Sequence, residues 1–111
     1  ISMSIPSSYF CTFTGSIGTM YHCDCNYVPG ILEYGEMSDI AGLTAPRFFC
    51  TLNGKDDAMF PLKETQKAFV NLKKIYTAAG VPDNCELYIG NGGHRYYKEG
   101  AWNFINKHLL K

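Results

Sequence analysis

Neither sign of charge is in excess in this 111-residue chain, where ten lysines and arginines balance ten aspartates and glutamates. A chain without a basic field cannot gather phosphates along a nucleic-acid backbone, so nucleic acid is excluded as the expected partner. Long apolar runs are missing as well. Stretches such as residues 47–52 fall far below the roughly 20 residues of a spanning helix, and no membrane span is expected. The opening residues, Ile1-Ser2-Met3-Ser4-Ile5-Pro6, carry no basic region leading into an apolar stretch and no initiator methionine. They read as the interior of a domain, without a secretory signal. Cys23-x-Cys25 beside His22 is followed by no second ligand pair at zinc-like spacing. A packed loop is therefore expected there instead of a metal site, and no pattern calls for a cofactor.

What is present is a hydrophobic content of 46% with little polar bias, enough for a single globular unit spanning residues 1–111 and too apolar for disorder. The cysteines, Cys11, Cys23, Cys25, Cys50 and Cys85, are odd in number, and three lie in or beside apolar runs. Free thiols in a reducing compartment are expected, which points to the cytoplasm.

Residues 8–13, aromatic and β-prone between Pro6 and Gly15, suit a buried strand. An irregular stretch runs to Gly30, and residues 31–43 give a helical pattern broken by Gly35 and Gly42. Residues 47–53 form a nearly continuous apolar run of strand length, as in a parallel strand covered on both faces. The run ends in the polar loop Gly54-Lys55-Asp56-Asp57. From Pro61 onward, Phe69, Leu72, Tyr76 and Ala79 recur at steps of three and four, the mark of an amphipathic helix, which Gly80 and Pro82 end. Residues 85–89 alternate as a strand, Gly90-Asn91-Gly92-Gly93-His94 makes a glycine loop, and residues 97–110 place Trp102, Ile105 and Leu109 on one helical face. The fold class is therefore α/β: a βαβαβα series around a parallel three-stranded half-sheet. Trp102 is expected in the core, whereas Tyr27, Tyr34 and Tyr96 fit either pocket or core.

In parallel α/β sheets functional side chains gather at the carboxyl ends of the strands. Asp57 and His94 occupy two such loops. A carboxylate there can fix the tautomer of the imidazole and stabilise the imidazolium that forms when it takes a proton, which makes them two members of a possible catalytic triad. The plainer alternatives are that Asp57 caps the helix starting near Pro61 and that His94 is a solvated loop histidine. If the two act as a pair, an Asp57 oxygen should lie about 2.6–3.2 Å from His94 Nδ1.

The stretch from Asn53 to Pro61 resembles the acid loop of α/β-hydrolases, Gly-x-x-Asp with proline four residues after the aspartate, and Gly92-Gly93-His94 resembles their histidine loop. Cys23-Asp24-Cys25-Asn26-Tyr27-Val28-Pro29-Gly30, Asp39-Ile40-Ala41-Gly42-Leu43 and Ala45-Pro46-Arg47 extend the likeness to the acetyl xylan esterase and dienelactone hydrolase-like branch. Phe48 departs from the proline often found after Ala-Pro-Arg. The resemblance implies the carboxy-terminal half of that fold, with Asp57 and His94 as acid and base of a Ser-His-Asp triad. The nucleophile elbow, Gly-x-Ser-x-Gly between a strand and a helix, is absent. Its nearest imitation, Gly15-Ser16-Ile17-Gly18, has Thr14 two residues before the serine. Two readings follow. One is part of a serine esterase that meets a small-molecule ester substrate once completed by the half bearing the nucleophile. The other is a non-catalytic interaction module derived from such a hydrolase. On both, a small sheet with an open edge is expected to be covered by self-association or by a complementary chain.

Overall fold

The computed structural model describes residues 1–110. Its centre is β2 (Phe48–Gly54), which pairs in parallel with β1 (Met3–Ser4) on one side and β3 (Cys85–Gly90) on the other, in the sheet order β1-β2-β3. Between them run α1 (Met37–Gly42) and α2 (Leu62–Ala78), with α3 (Lys98–His108) last. The α/β half-sheet expected from the sequence is what forms.

β2 is buried along nearly its whole length, and strand alternation divides its side chains between two cores. Phe49 faces a cluster with Phe10, Cys11, Met37, Ala68, Leu72 and Tyr76, which is the side covered by α1 and α2. Cys50 and Leu52 face the opposite cluster, with Ala101 and Phe104 of α3 and with Tyr97. A strand covered on both faces has no polar side to show, and this is why residues 47–53 read as one apolar run.

Two expectations are corrected. Residues 8–13 are not a strand. The first strand is Met3–Ser4, and its line continues only as a bridge between Ser7 and Leu52. Pro6 contributes its carbonyl to Leu52 N–H but has no N–H of its own, and Ser8, at φ 49°, turns the chain off the sheet. Phe10, Cys11 and Thr12 are buried all the same, as a loop lying over the α2-side core; burial accounts for their apolar character without a strand. The second correction concerns helical faces. Trp102 is 57% exposed and Leu109 47%, while α3 buries Gly100, Ala101 and Phe104. A Cβ at Gly100 would stand 2.3 Å from Cγ of Tyr88. At Gly100 the helix therefore sits so close to β3 that no side chain fits underneath, and the indole two residues on is turned outward. In α2 the inward stripe is Thr65, Ala68, Leu72 and Tyr76; Phe69 is partly buried against it, and Ala79 is exposed.

The pattern around residues 31–43 resolves into a 3-10 turn (Ile31–Glu33) and α1, separated by Gly35 at φ 147°. Glu36 caps α1 by accepting the amide of Met37, and Asp39 accepts from the amide of Glu36, a reciprocal pair that satisfies orphan donors of a short helix. Tyr27, Tyr34 and Tyr96 are exposed. Among the described residues no helix is long and apolar enough to cross a membrane.

All five cysteines are free, Cys11, Cys50 and Cys85 buried and Cys23 and Cys25 exposed. Burial pushes the Cys50 thiol up to about 12 and raises those of Cys11 and Cys85. Since the thiolate is the reactive form, a thiol reagent at neutral pH should titrate Cys23 and Cys25 quickly and the other three only on unfolding. Raised thiol pKa values also mean that stability is fully present below the ordinary thiol value of 9.0 and declines as pH rises towards about 12. Urea unfolding at pH 7 and pH 10 should give a lower midpoint at the higher pH, and Cys50→Ala should reduce that difference.

Candidate active site

The two loops expected to carry chemistry lie side by side because β2 and β3 are adjacent and in parallel register, with Gly54 opposite Gly90 at their carboxyl ends. Hydrogen bonds then zip the loops together beyond the strands, Lys55 N–H to the Gly90 carbonyl at 2.9 Å and Asp56 N–H to the Gly92 carbonyl at 2.9 Å. The approach is too close for side chains. A Cβ on Gly54 would lie 2.2 Å from the Gly93 carbonyl oxygen, and one on Gly90 would lie 2.1 Å from the Tyr97 ring. Tyr97 itself donates its hydroxyl to the Gly93 carbonyl at 2.7 Å, and Ser8 donates to the Arg95 carbonyl at 3.2 Å. The histidine loop is thus held on three sides.

Asp57 Oδ2 stands 3.0 Å from His94 Nδ1, inside the range expected for a working pair. The carboxylate side chain is wholly buried and the imidazole 45% exposed. The other oxygen, Oδ1, accepts the amides of Met59 at 2.9 Å and Phe60 at 3.0 Å. The capping alternative therefore contains part of the answer: Asp57 does collect backbone donors, but those of its own turn. α2 begins after Pro61, with no side-chain cap. One carboxylate serves both purposes because its two oxygens face different ways.

The acid turn is clamped from behind. Both residues whose amides donate to Asp57 have their carbonyls held by fully buried side chains: Ser16 Oγ donates to the Met59 carbonyl at 2.6 Å, and Asn53 Nδ2 to the Phe60 carbonyl at 3.2 Å. Phe60 also supplies a wall. Its ring stacks on the His94 imidazole with centroids 5.8 Å apart and planes 18° apart, and His22 packs against it at 5.3 Å. Asn53 and Phe60 entered the reading of the sequence only as part of the acid-loop stretch, and His22 only as a neighbour of Cys23-x-Cys25; their roles did not. For Asn53 the end of an apolar strand is a weak signal of the role it takes here.

The chemical capacity of this arrangement follows from the donor inventory. An ionised carboxylate only accepts, so the bond to Asp57 puts the ring proton on Nδ1 and leaves the Nε2 lone pair of His94 as an acceptor. A half-exposed imidazole fixed in that tautomer can take a proton from a hydroxyl brought to its outer edge, and the buried carboxylate stabilises the cation that forms. Ser16 is not such a hydroxyl. It is fully buried, its proton is committed to Met59, and the histidine beside it is His22, whose Nε2 lies 3.2 Å from Oγ. With the serine proton engaged, His22 must donate, the reverse of what a base does. Among the described residues no three His, Cys, Asp or Glu side chains converge as a metal would need.

No family model matches the chain, and no curated protein matches it in sequence. Solved structures do. A carbohydrate esterase family 15 glucuronoyl esterase from Caldicellulosiruptor kristjansonii superposes with a TM-score of 0.76 at 18% identity, over 99% of this chain and 37% of that one. Methylesterase BT1017 superposes with a TM-score of 0.57 at 16% identity, over 67% of this chain and 17% of that one. The likeness shows the fold alone, a parallel half-sheet flanked by helices. The chain spans little more than a third of the length of the first of these proteins.

The close contact of the two loops makes Gly54 a sensitive position. Gly54→Ala should cost roughly 1–3 kcal/mol of stability, as overpacking against backbone does, and should lengthen the Asp57–His94 bond. Denaturant unfolding and a crystal structure of the variant would measure both, and a variant as stable as the parent with the bond unchanged would contradict the packing described.

Proposed function

We propose that Asp57 and His94 are the acid and base of a serine-type carboxylic-ester hydrolase whose nucleophile and oxyanion hole lie outside these 111 residues. The observation that carries this reading is the wholly buried carboxylate 3.0 Å from Nδ1 of a half-exposed histidine, at the ends of neighbouring parallel strands. In the proposed reaction His94 removes the proton of the serine hydroxyl as its oxygen attacks the ester carbonyl. It then returns that proton to the leaving alkoxide, and water repeats the sequence to release the acid; Asp57 keeps Nδ1 protonated throughout. The names of the two superposed proteins, a glucuronoyl esterase and a methylesterase, support a carboxylic ester as the substrate class. The chain is a portion of one α/β-hydrolase domain, works without metal or cofactor, and belongs in the cytoplasm, a placement supported by five free thiols.

Among the described residues β1 pairs with β2 alone, and its other edge is where the remainder of the sheet, from a longer chain or a complementary one, would add. The exposed Trp102 and Leu109 support a second reading in which the half-fold is a non-catalytic module that binds a partner or a second copy.

A fluorophosphonate probe separates the two. The 111-residue chain alone should show no stoichiometric serine labelling and no turnover of activated esters, whereas a longer or assembled form should be labelled at a serine outside it. In that form His94→Ala and Asp57→Asn should each lower kcat by about 10²–10⁴-fold. Labelling of Ser16, or full activity in His94→Ala, would overturn the esterase reading.

A further inference from the structure

Ser16 and His22 are six residues apart in a loop with little regular structure, yet they are among the best buried polar side chains of the protein, at 0% and 4% exposure. Burying two polar groups in an apolar setting is unfavourable unless each finds a partner, and the partners found here all belong to the acid turn or lie against it. Ser16 Oγ donates to the Met59 carbonyl at 2.6 Å and accepts from His22 Nε2 at 3.2 Å. The peptide that carries the Met59 carbonyl also carries the Phe60 N–H, which donates to Asp57 Oδ1, and the ring of His22 packs on Phe60, which also stacks on His94. The loop carrying the pair is itself anchored. Thr12 donates to Glu64 of α2 at 2.7 Å and accepts the amide of Gly15 at 2.9 Å, and the amide of His22 donates to the Tyr27 hydroxyl at 2.9 Å.

From this placement we propose that Ser16 and His22 are positioning residues, a buried latch that holds the 57–60 turn in the one shape in which Asp57 can grip His94. The proposal rests on the Asp57–His94 reading above and adds a control to it. The direction of the bonds is set by the serine proton. Because that proton goes to Met59, His22 serves only as a donor through Nε2, and its loss leaves Oγ free to rotate away from the carbonyl. Once the Met59 carbonyl is released, the Met59–Phe60 peptide can turn, and the Phe60 N–H, one of the two amide donors to Asp57, goes with it. The carboxylate then reorients, and His94 loses the acceptor that fixes its tautomer. Neither residue touches the outer edge of His94 where a substrate hydroxyl would arrive, so the effect is on orientation and not on contact.

The test reads the tautomer of His94 directly, by ring nitrogen-15 chemical shifts in the folded protein at alkaline pH. The parent should show the Nδ1–H form, and Asp57→Ala should return the ring to the Nε2–H form that free imidazole prefers. Ser16→Ala and His22→Leu should each move His94 towards Nε2–H while backbone amide spectra stay native-like. His22→Gln, which keeps a donor at the position of Nε2, should leave the ring as in the parent. If Ser16→Ala does not fold, the contrast between His22→Leu and His22→Gln carries the same decision. In an active form that contains the nucleophile, Ser16→Ala should lower kcat about 10-fold with KM unchanged, the kind of loss that a small misplacement of a catalytic group produces. A His94 tautomer indifferent to Asp57→Ala would sink the acid–base pair itself. One that responds to Asp57→Ala but not to Ser16→Ala or His22→Leu would leave the pair standing and overturn the latch.

Discussion

A carboxylate with no exposed surface dominates the architecture at the carboxyl end of this sheet. Taking an ionised group out of water costs several kcal/mol even after relaxation, so it persists in the interior only when its lone pairs are met by well-placed donors. Asp57 meets that demand with two amides of its own turn and the imidazole of His94. Each of these donors has to be held in turn. The turn is braced through its carbonyls by Ser16 and Asn53, and the histidine loop by Tyr97, Ser8 and the bonds to Lys55 and Asp56. Read outward from the carboxylate, most of the loop structure on this face exists to keep three donors aimed at two oxygens.

The sheet makes such an arrangement possible. Parallel pairing of β2 with β3 brings the ends of both strands to the same edge, where loops from different parts of the chain can share hydrogen bonds. Gly54 and Gly90 let those loops touch, since a Cβ at either would collide with the opposite loop or with Tyr97. At the far side of the sheet the same economy brings α3 onto β3 through Gly100 and Ala101. Small residues therefore do two different jobs, admitting a facing loop in one place and a helix in the other.

The asymmetry of exposure within the pair matters as much as its distance. The acid is sealed and the histidine half open, so the carboxylate is kept from water by the fold, while the imidazole keeps nearly half of its surface accessible. Phe60 joins these two conditions, its amide binding the acid and its ring backing the imidazole.

Much of this was legible in the sequence, for reasons that are local. A strand buried on both faces is apolar at most positions, as Phe48, Phe49, Cys50 and Leu52 are; a helix on a surface must repeat near every fourth residue, and α2 does. Asp57 and His94 were legible because a polar loop after a parallel strand has a known place in space, so two strands were enough to bring them to one edge. What only the tertiary structure decided was everything that depends on one segment meeting another far along the chain. Residues 8–13 have a strand's composition but become a loop, because Pro6 lacks a donor and Ser8 turns away, and their apolar side chains are used over α2 instead. Trp102 has the spacing of a core residue but lies outside, because Gly100 and Ala101 let α3 descend on Tyr88. The clamp on the acid turn joins residues 16 and 53 to 59 and 60. Hydrophobic period and turn chemistry act over a few residues and can be read one segment at a time, whereas the satisfaction of a buried charge is a property of the assembled interior.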